Sequence, residues 1–179
     1  GFLFPQTPID AMAVSLVLMR EDHRSRLVPM VTEFYNIHRR ITDSERYVQT
    51  DEMSSKCLDD WLAGSREIHC ICCDGHLAGF LVLRYGEQRV AWLEEMYVAP
   101  EFRGRSTGRS ALELVDRMME GKGILSMYVD VIPRNDGAIR LYVSSGFDHL
   151  NMIQLRKNYD RSLDKEEGIE VLGHRLKKF

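Results

Sequence analysis

No stretch of this 179-residue chain is apolar for the roughly 20 residues that a bilayer-crossing helix needs. The apolar run at 11–19 has no basic segment before it and no small-residue cleavage site after it, so it reads as a first strand rather than a signal peptide. Prolines number five, and no repeat, linker or low-complexity stretch interrupts the chain, which argues against fibrous and disordered classes. There is no excess of basic charge either. Twenty-four Lys and Arg face 27 Asp and Glu, a net charge of −3, and this gives no global electrostatic support to a nucleic-acid-coating role. Cysteine is sparse, with Cys57, Cys70, Cys72 and Cys73. Cys70 and Cys73 formally make a C-x-x-C beside His69 and His76, but no second paired cluster completes a metal site. On a strand, positions 70 and 73 point to opposite faces, so these residues read as small buried apolar side chains of a cytosolic protein, and no metal is expected.

The length suits one domain with a real core. Its most informative stretch is residues 93–114, LEEMYVAPEFRGRSTGRSALEL. It reads as a strand, a turn at Ala99-Pro100, a basic glycine-containing loop and a helix. The unpaired amides of a first helical turn and the helix dipole both favour an anion. Arg103, Arg105 and Arg109 would add charge-assisted contacts. Three cations at a helix N-terminus oppose its dipole, a placement that suits a bound phosphate better than a bare helix.

Periodicity supplies the rest of the outline. Residues 14–20 read as a strand and 23–38 as a helix with Leu27, Met30, Val31 and Phe34 on one face. A second helical region opens at Asp43 or Ser44 and ends at Gly64. Two β-rich runs, 68–73 and 76–85, flank Asp74-Gly75, a strong hairpin signal. A strand at 90–98 leads into the basic loop, and a helix follows at 109–120. A strand at 124–132 stops at Pro133, a short helix covers 136–145, and a last strand is predicted at 151–158. Residues 1–10 read as an irregular arm, 11–158 as the domain, and the charged tail 159–179 as part of that domain or a dimer arm.

Two motifs carry a family resemblance. Arg103, Gly104, Arg105, Ser106, Thr107 and Gly108 follow the pattern Gln/Arg-x-x-Gly-x-Gly/Ala, with Ser106 at the middle glycine. Asn135, Ala138, Tyr142, Gly146 and Phe147 fall in register with Asn-x-x-Ala-x-x-x-Tyr-x-x-x-Gly-Phe. In this order and spacing the chain resembles the GNAT superfamily of acetyl-CoA-dependent N-acetyltransferases over roughly residues 14–158. The resemblance implies a mixed α/β fold, with a central sheet of about six or seven strands and about four flanking helices. It implies acetyl-CoA as co-substrate, an amine as acceptor, a cytoplasmic setting without nucleic acid or membrane partners, and room for a homodimer.

It also implies roles. The loop Arg103, Gly104, Arg105, Ser106, Thr107, Gly108 and Arg109 would hold the pyrophosphate. The main chain at Met96, Tyr97 and Val98 would pair with the pantetheine arm and polarise the thioester carbonyl. Asn135 and Ala138 would border that arm, and Tyr142 would protonate the leaving thiolate. Glu94 or Glu95 would take the amine proton. Neighbours on a strand face opposite ways, so only one can face the cleft unless a bulge intervenes, and Glu94 is the first choice. The acceptor wall falls on residues 34–60, with Tyr35, His38, Tyr47, Asp51 and Glu52. Acidic side chains there suit a cationic amine, whereas His38, Arg39 and Arg40 suit an acidic acceptor. A small-molecule amine, a protein amine and non-catalytic acyl-CoA sensing all remain open on these residues.

Overall fold

The computed structural model describes residues 12–42, 44 and 47–179. Five strands form one sheet in the order β1-β2-β3-β4-β5: Val14–Leu18, Glu67–Cys73, His76–Gly86, Val90–Val98 and Ser126–Val129. Successive neighbours are antiparallel except β4 and β5, which run parallel on either side of a helical crossover. Helices α1 (Arg24–Ile41) and α2 (Asp51–Ala63) cover one face of the sheet. Helices α3 (Thr107–Gly121) and α4 (Asp136–Ser144) cover the other.

The sheet therefore separates two cores. Leu27, Val31, Phe34, Leu58 and Trp61 pack on Phe80, Val82 and Tyr97 on the α1/α2 side. Ala111, Leu112, Val115 and Met119 pack on Ile71, Leu81, Leu83 and Leu93 on the α3/α4 side. Successive β3 side chains alternate between the two clusters, as a strand buried on both faces must. The cysteines divide the same way, Cys70 with the first core and Cys73 with the second, and all four are free.

Local signals explain the boundaries. Asp74 and Gly75 both have positive φ, the two-residue turn that matches strand twist, and they set the β2–β3 register. The second helix begins later than its composition suggests. Thr50 caps it by accepting from the Met53 amide, Ser44 lies in the preceding loop, and Asp43 falls outside the described residues.

The last strand expected from the sequence is absent. Residues 147–158 form no ladder, and Leu150, Met152 and Leu155 lie exposed. Alternating β-formers describe a side-chain surface, and a strand also needs a partner for its amides. The tail instead closes on itself as the hairpin β6 (Gly168–Val171) and β7 (His174–Lys177), separate from the main sheet. The described residues thus hold seven strands, five in the central sheet and two outside it.

Candidate active site

The site is organised by one irregularity in β4. On β3, Val82 pairs with Glu95 and Leu83 pairs with Leu93, so Glu94 is an extra residue in the ladder. The bulge reverses the strand's facing. Leu93 packs in the α3/α4 core, yet Tyr97, an even number of residues later, packs in the α1/α2 core. The bulge is the exception to the simple alternation that would put Glu94 and Glu95 on opposite faces. Glu94 meets Arg84, which stacks on Trp92, while Glu95 reaches Tyr35 of α1.

The two carboxylates have opposite environments. Glu94 accepts from the Arg66 and Arg84 side chains. Burial works against its charge, but the two guanidiniums outweigh that and hold its carboxyl below the usual range. Among the described residues Glu95 has no cationic partner in contact, and it accepts from the Tyr35 hydroxyl at 3.5 Å. Burial, reinforced by the Glu94 charge, pushes its carboxyl up to about 7, while Tyr35 and Arg66 pull the other way. Burial and the Glu95 charge push the Tyr35 phenol well above its ordinary value.

Tyr142 comes from α4 on the opposite layer. It is 9% exposed, and its ring meets Phe147 edge-on at 5.6 Å. Burial, and then the charge of Glu95, push its phenol up to about 12. The Glu95 charge on β4 is thus one of the two causes that raise the Tyr142 phenol. The β4–β5 ladder ends at Leu93–Val129, so from Glu94 onward β4 has no strand on that side. The Val98 carbonyl there is taken by Arg103 Nε at 2.7 Å. Met96 and Val98 pack toward α3.

The basic loop forms a concavity of backbone amides. Gly104 and Ser106 adopt φ of 72° and 61°, on either side of Arg105, and Ser106 opens α3 without using its hydroxyl as a cap. Such alternation turns successive amides toward one point, the geometry of an anion nest. Among the described residues no acceptor takes the amides from Gly104 to Arg109. Serine occupies the left-handed conformation that its place in the motif reserves for glycine. Gly108 lies close under α4: a Cβ there would lie 3.1 Å from Leu141 Cδ2, whose side-chain end would have to give by a few tenths of an ångström.

The three arginines diverge. Arg103 turns back onto β4 and Tyr97, Arg105 lies 3.8 Å from the Met12 sulfur, and Arg109 reaches Ser144 at the C-terminal end of α4. Asn135 caps α4 by accepting from the Ala138 amide at 3.2 Å, which leaves its NH₂ donors free, and Ala138 packs in the core beneath. Of the expected acceptor wall, Tyr35 reaches β4. His38 bonds Phe34 O, Asp51 accepts from Thr32, Glu52 is exposed, and Tyr47 is largely exposed. Arg66 and Arg84 were not singled out in the sequence. They arrive from before β2 and from β3, and no local spacing ties either to Glu94.

With this geometry in hand, the comparisons are consistent. The profile of the acetyltransferase (GNAT) family matches residues 31–147. A [ribosomal protein bS18]-alanine N-acetyltransferase of Escherichia coli is 30% identical over 100 residues, which is 56% of this chain and 65% of that protein. This chain therefore spans less than two thirds of that relative. Among solved structures, the PaiA N-acetyltransferase of Thermoplasma acidophilum in complex with coenzyme A superposes with a TM-score of 0.65 at 21% identity, covering 75% of this chain and 89% of that one. The aminoglycoside N-acetyltransferase AAC(6')-Iy in complex with CoA gives 0.62 at 18% identity, covering 88% and 100%. At these identities the superpositions speak for the fold.

Proposed function

The chain belongs to the acetyltransferase (GNAT) family, and from that premise we propose that it moves an acetyl group from acetyl-CoA to a primary amine of a small molecule. The observation that carries the reading is the unequal pair on the β4 bulge. Glu94 is paired with two arginines, whereas burial pushes the Glu95 carboxyl up to about 7, and the Glu95 charge in turn helps raise the Tyr142 phenol.

A general base works best with a pKa near the operating pH. Glu95 has that value and Glu94 does not, so Glu95, directly or through water, takes the proton of the acceptor amine. Tyr142, whose phenol stays protonated at neutral pH, returns a proton to the thiolate that leaves. Acetyl-CoA supplies the activated thioester. The amides from 104 to 109 suit its pyrophosphate by the nest geometry, and the open edge of β4 at 96–98 suits its arm as an added strand. A main-chain donor on that edge would meet the carbonyl oxygen as charge develops. The Asn135 NH₂ group, not used by the cap, donates to the same arm. An α-amine of a protein is a second reading, supported by the Escherichia coli relative, an alanine N-acetyltransferase of a ribosomal protein.

Calorimetric titration of acetyl-CoA into the parent and a Gly108→Trp variant tests the cofactor half. Micromolar binding to the parent, lost in the variant, is expected, because an indole at 108 fills the space at the start of α3 under Leu141. Thiol release with a panel of primary amines then tests transfer. A folded parent that binds no acetyl-CoA overturns the reading.

A further inference from the structure

A cleft of about 1200 Å³ opens between residues 130–133, which continue β5, the unpaired stretch 153–158 and the tail hairpin. Neither the basic loop nor the glutamate pair lines it. Its charge runs against that of the molecule. Seven of its lining residues are Lys or Arg and three are Asp or Glu, in a chain whose net charge is −3. Its walls are fastened in place. Lys165 Nζ donates to the Thr42 carbonyl at the end of α1 at 3.0 Å, and Arg134 Nε donates to the Lys178 carbonyl at 3.2 Å.

Three of its cations are exposed and have no carboxylate partner among the described residues. Arg156 is held by a neutral amide and a ring: its Nε donates to Asn158 Oδ1 at 2.8 Å, and its guanidinium lies 3.7 Å from the centre of the Phe179 ring. Lys157 lies over the Tyr159 ring, and Arg175 of β7 is exposed. Arg161 and Lys177, by contrast, pair with Asp164 and Glu166. Ring faces and amides orient a cation without cancelling its charge. The same cleft exposes the apolar side chains of Val131, Ile153 and Leu155.

The main chain around it is unpaired as well. β5 is the last strand of the central sheet, so its outer edge has no ladder. Residues 150–157 make no backbone hydrogen bond among the described residues. Open backbone of this kind is a template for a further strand. We propose that the cleft binds an extended peptide in which acidic and apolar residues alternate. Added as a strand, such a peptide pairs its amides and carbonyls with this open backbone. Its apolar side chains, two residues apart, share one face and meet Val131, Ile153 and Leu155, while its carboxylates meet Arg156, Lys157 and Arg175. A polyphosphate would satisfy the cations alone and leave the apolar surface and the open backbone unused. The site stands independently of the acetyltransferase reading.

The probe is a fluorescein-labelled peptide of four Val-Glu repeats, and its binding to the full chain is followed by anisotropy. The comparison peptides carry Lys in place of Glu, the same residues in block order, or N-methyl groups on alternate amides. The alternating acidic peptide should bind about tenfold or more tighter than each of them. Arg156→Gln combined with Arg175→Gln should weaken it by about tenfold or more, the span of one to two charge-assisted contacts. Arg105→Gln, on the basic loop outside the cleft, should bind it like the parent. Both side chains changed in the double variant are exposed, circular dichroism checks its fold, and the parent's ranking of the peptides decides alone if it does not fold. No binding, equal binding of the block or N-methylated peptide, or a loss shared by Arg105→Gln overturns the assignment. Binding of inorganic polyphosphate but of no peptide makes the cleft a general anion site and overturns it. A parent that is dimeric by light scattering, and monomeric as the double variant, gives the cleft to a second copy and overturns it too.

Discussion

The hydroxyl of Tyr35 lies 3.5 Å from Oε1 of Glu95, joining the first helix to β4 just past its bulge. This contact favours the ionised carboxylate, while burial and the Glu94 charge oppose it. The two influences can be separated by mutation. Tyr35→Phe removes the stabilising donor and should move the acidic limb of the kcat/KM profile to higher pH. Glu94→Gln removes the like charge and leaves Arg66 and Arg84 in place, so the limb should move to lower pH. The measurement is kcat/KM against pH from 5 to 9. Shifts of the same sign in both variants would exclude Glu95 as the titrating base.

Keeping that base works against stability. The Glu95 carboxyl is raised from an ordinary 4.5 to about 7 in the folded protein. Below 4.5 it is protonated in both folded and unfolded chains and costs nothing. Between 4.5 and 7 the unfolded chain ionises freely while the folded one resists, and the native state loses stability as pH rises. Glu95→Gln should therefore gain on the parent across that window, by no more than about 3 kcal/mol, and hold the gain above pH 7. Urea denaturation at pH 4.5 and pH 8 reads the difference.

Tyr142→Phe keeps the ring that packs against Phe147 and removes the hydroxyl. A lost general acid should lower kcat by about 10²-fold or more with little change in acetyl-CoA affinity. A loss of affinity with kcat intact would instead make the phenol a binding group.

Ser106 is the departure from the motif with a measurable energetic signature. Its φ of 61° is left-handed, which costs a residue with a Cβ on the order of 1 kcal/mol. Glycine removes that strain but has more freedom to lose on folding. Ser106→Gly should still stabilise, by roughly 0.5 kcal/mol, and should leave acetyl-CoA binding within a few-fold of the parent, because the backbone already holds the nest geometry. A large gain in affinity would mean that the serine side chain obstructs the site.

Several parts of the molecule were legible in the chain because their causes are local. Asp74-Gly75 demanded a hairpin turn and made one. Asn135, picked out as part of the later motif, caps α4 through the amide three residues on. Other parts depended on partners that sequence patterning does not name. Residues 151–158 alternate like a strand but find no ladder. The tail pairs with itself through Leu172-Gly173, a turn with two positive φ angles.

The glutamate pair draws the line between the two kinds of information. The chain by itself determined that two adjacent carboxylates precede a phosphate-type loop and that a tyrosine follows in the later motif, because these are statements about order and spacing. Only the tertiary structure gave the two carboxylates opposite surroundings. The bulge that brings both toward the same layer is a property of β4 paired with β3. The arginines that neutralise Glu94 come from residues 28 and 10 positions away, and the tyrosine that touches Glu95 from 60. A pKa is set by what surrounds a group in space, and those surroundings exist only once the sheet and α1 have closed around it.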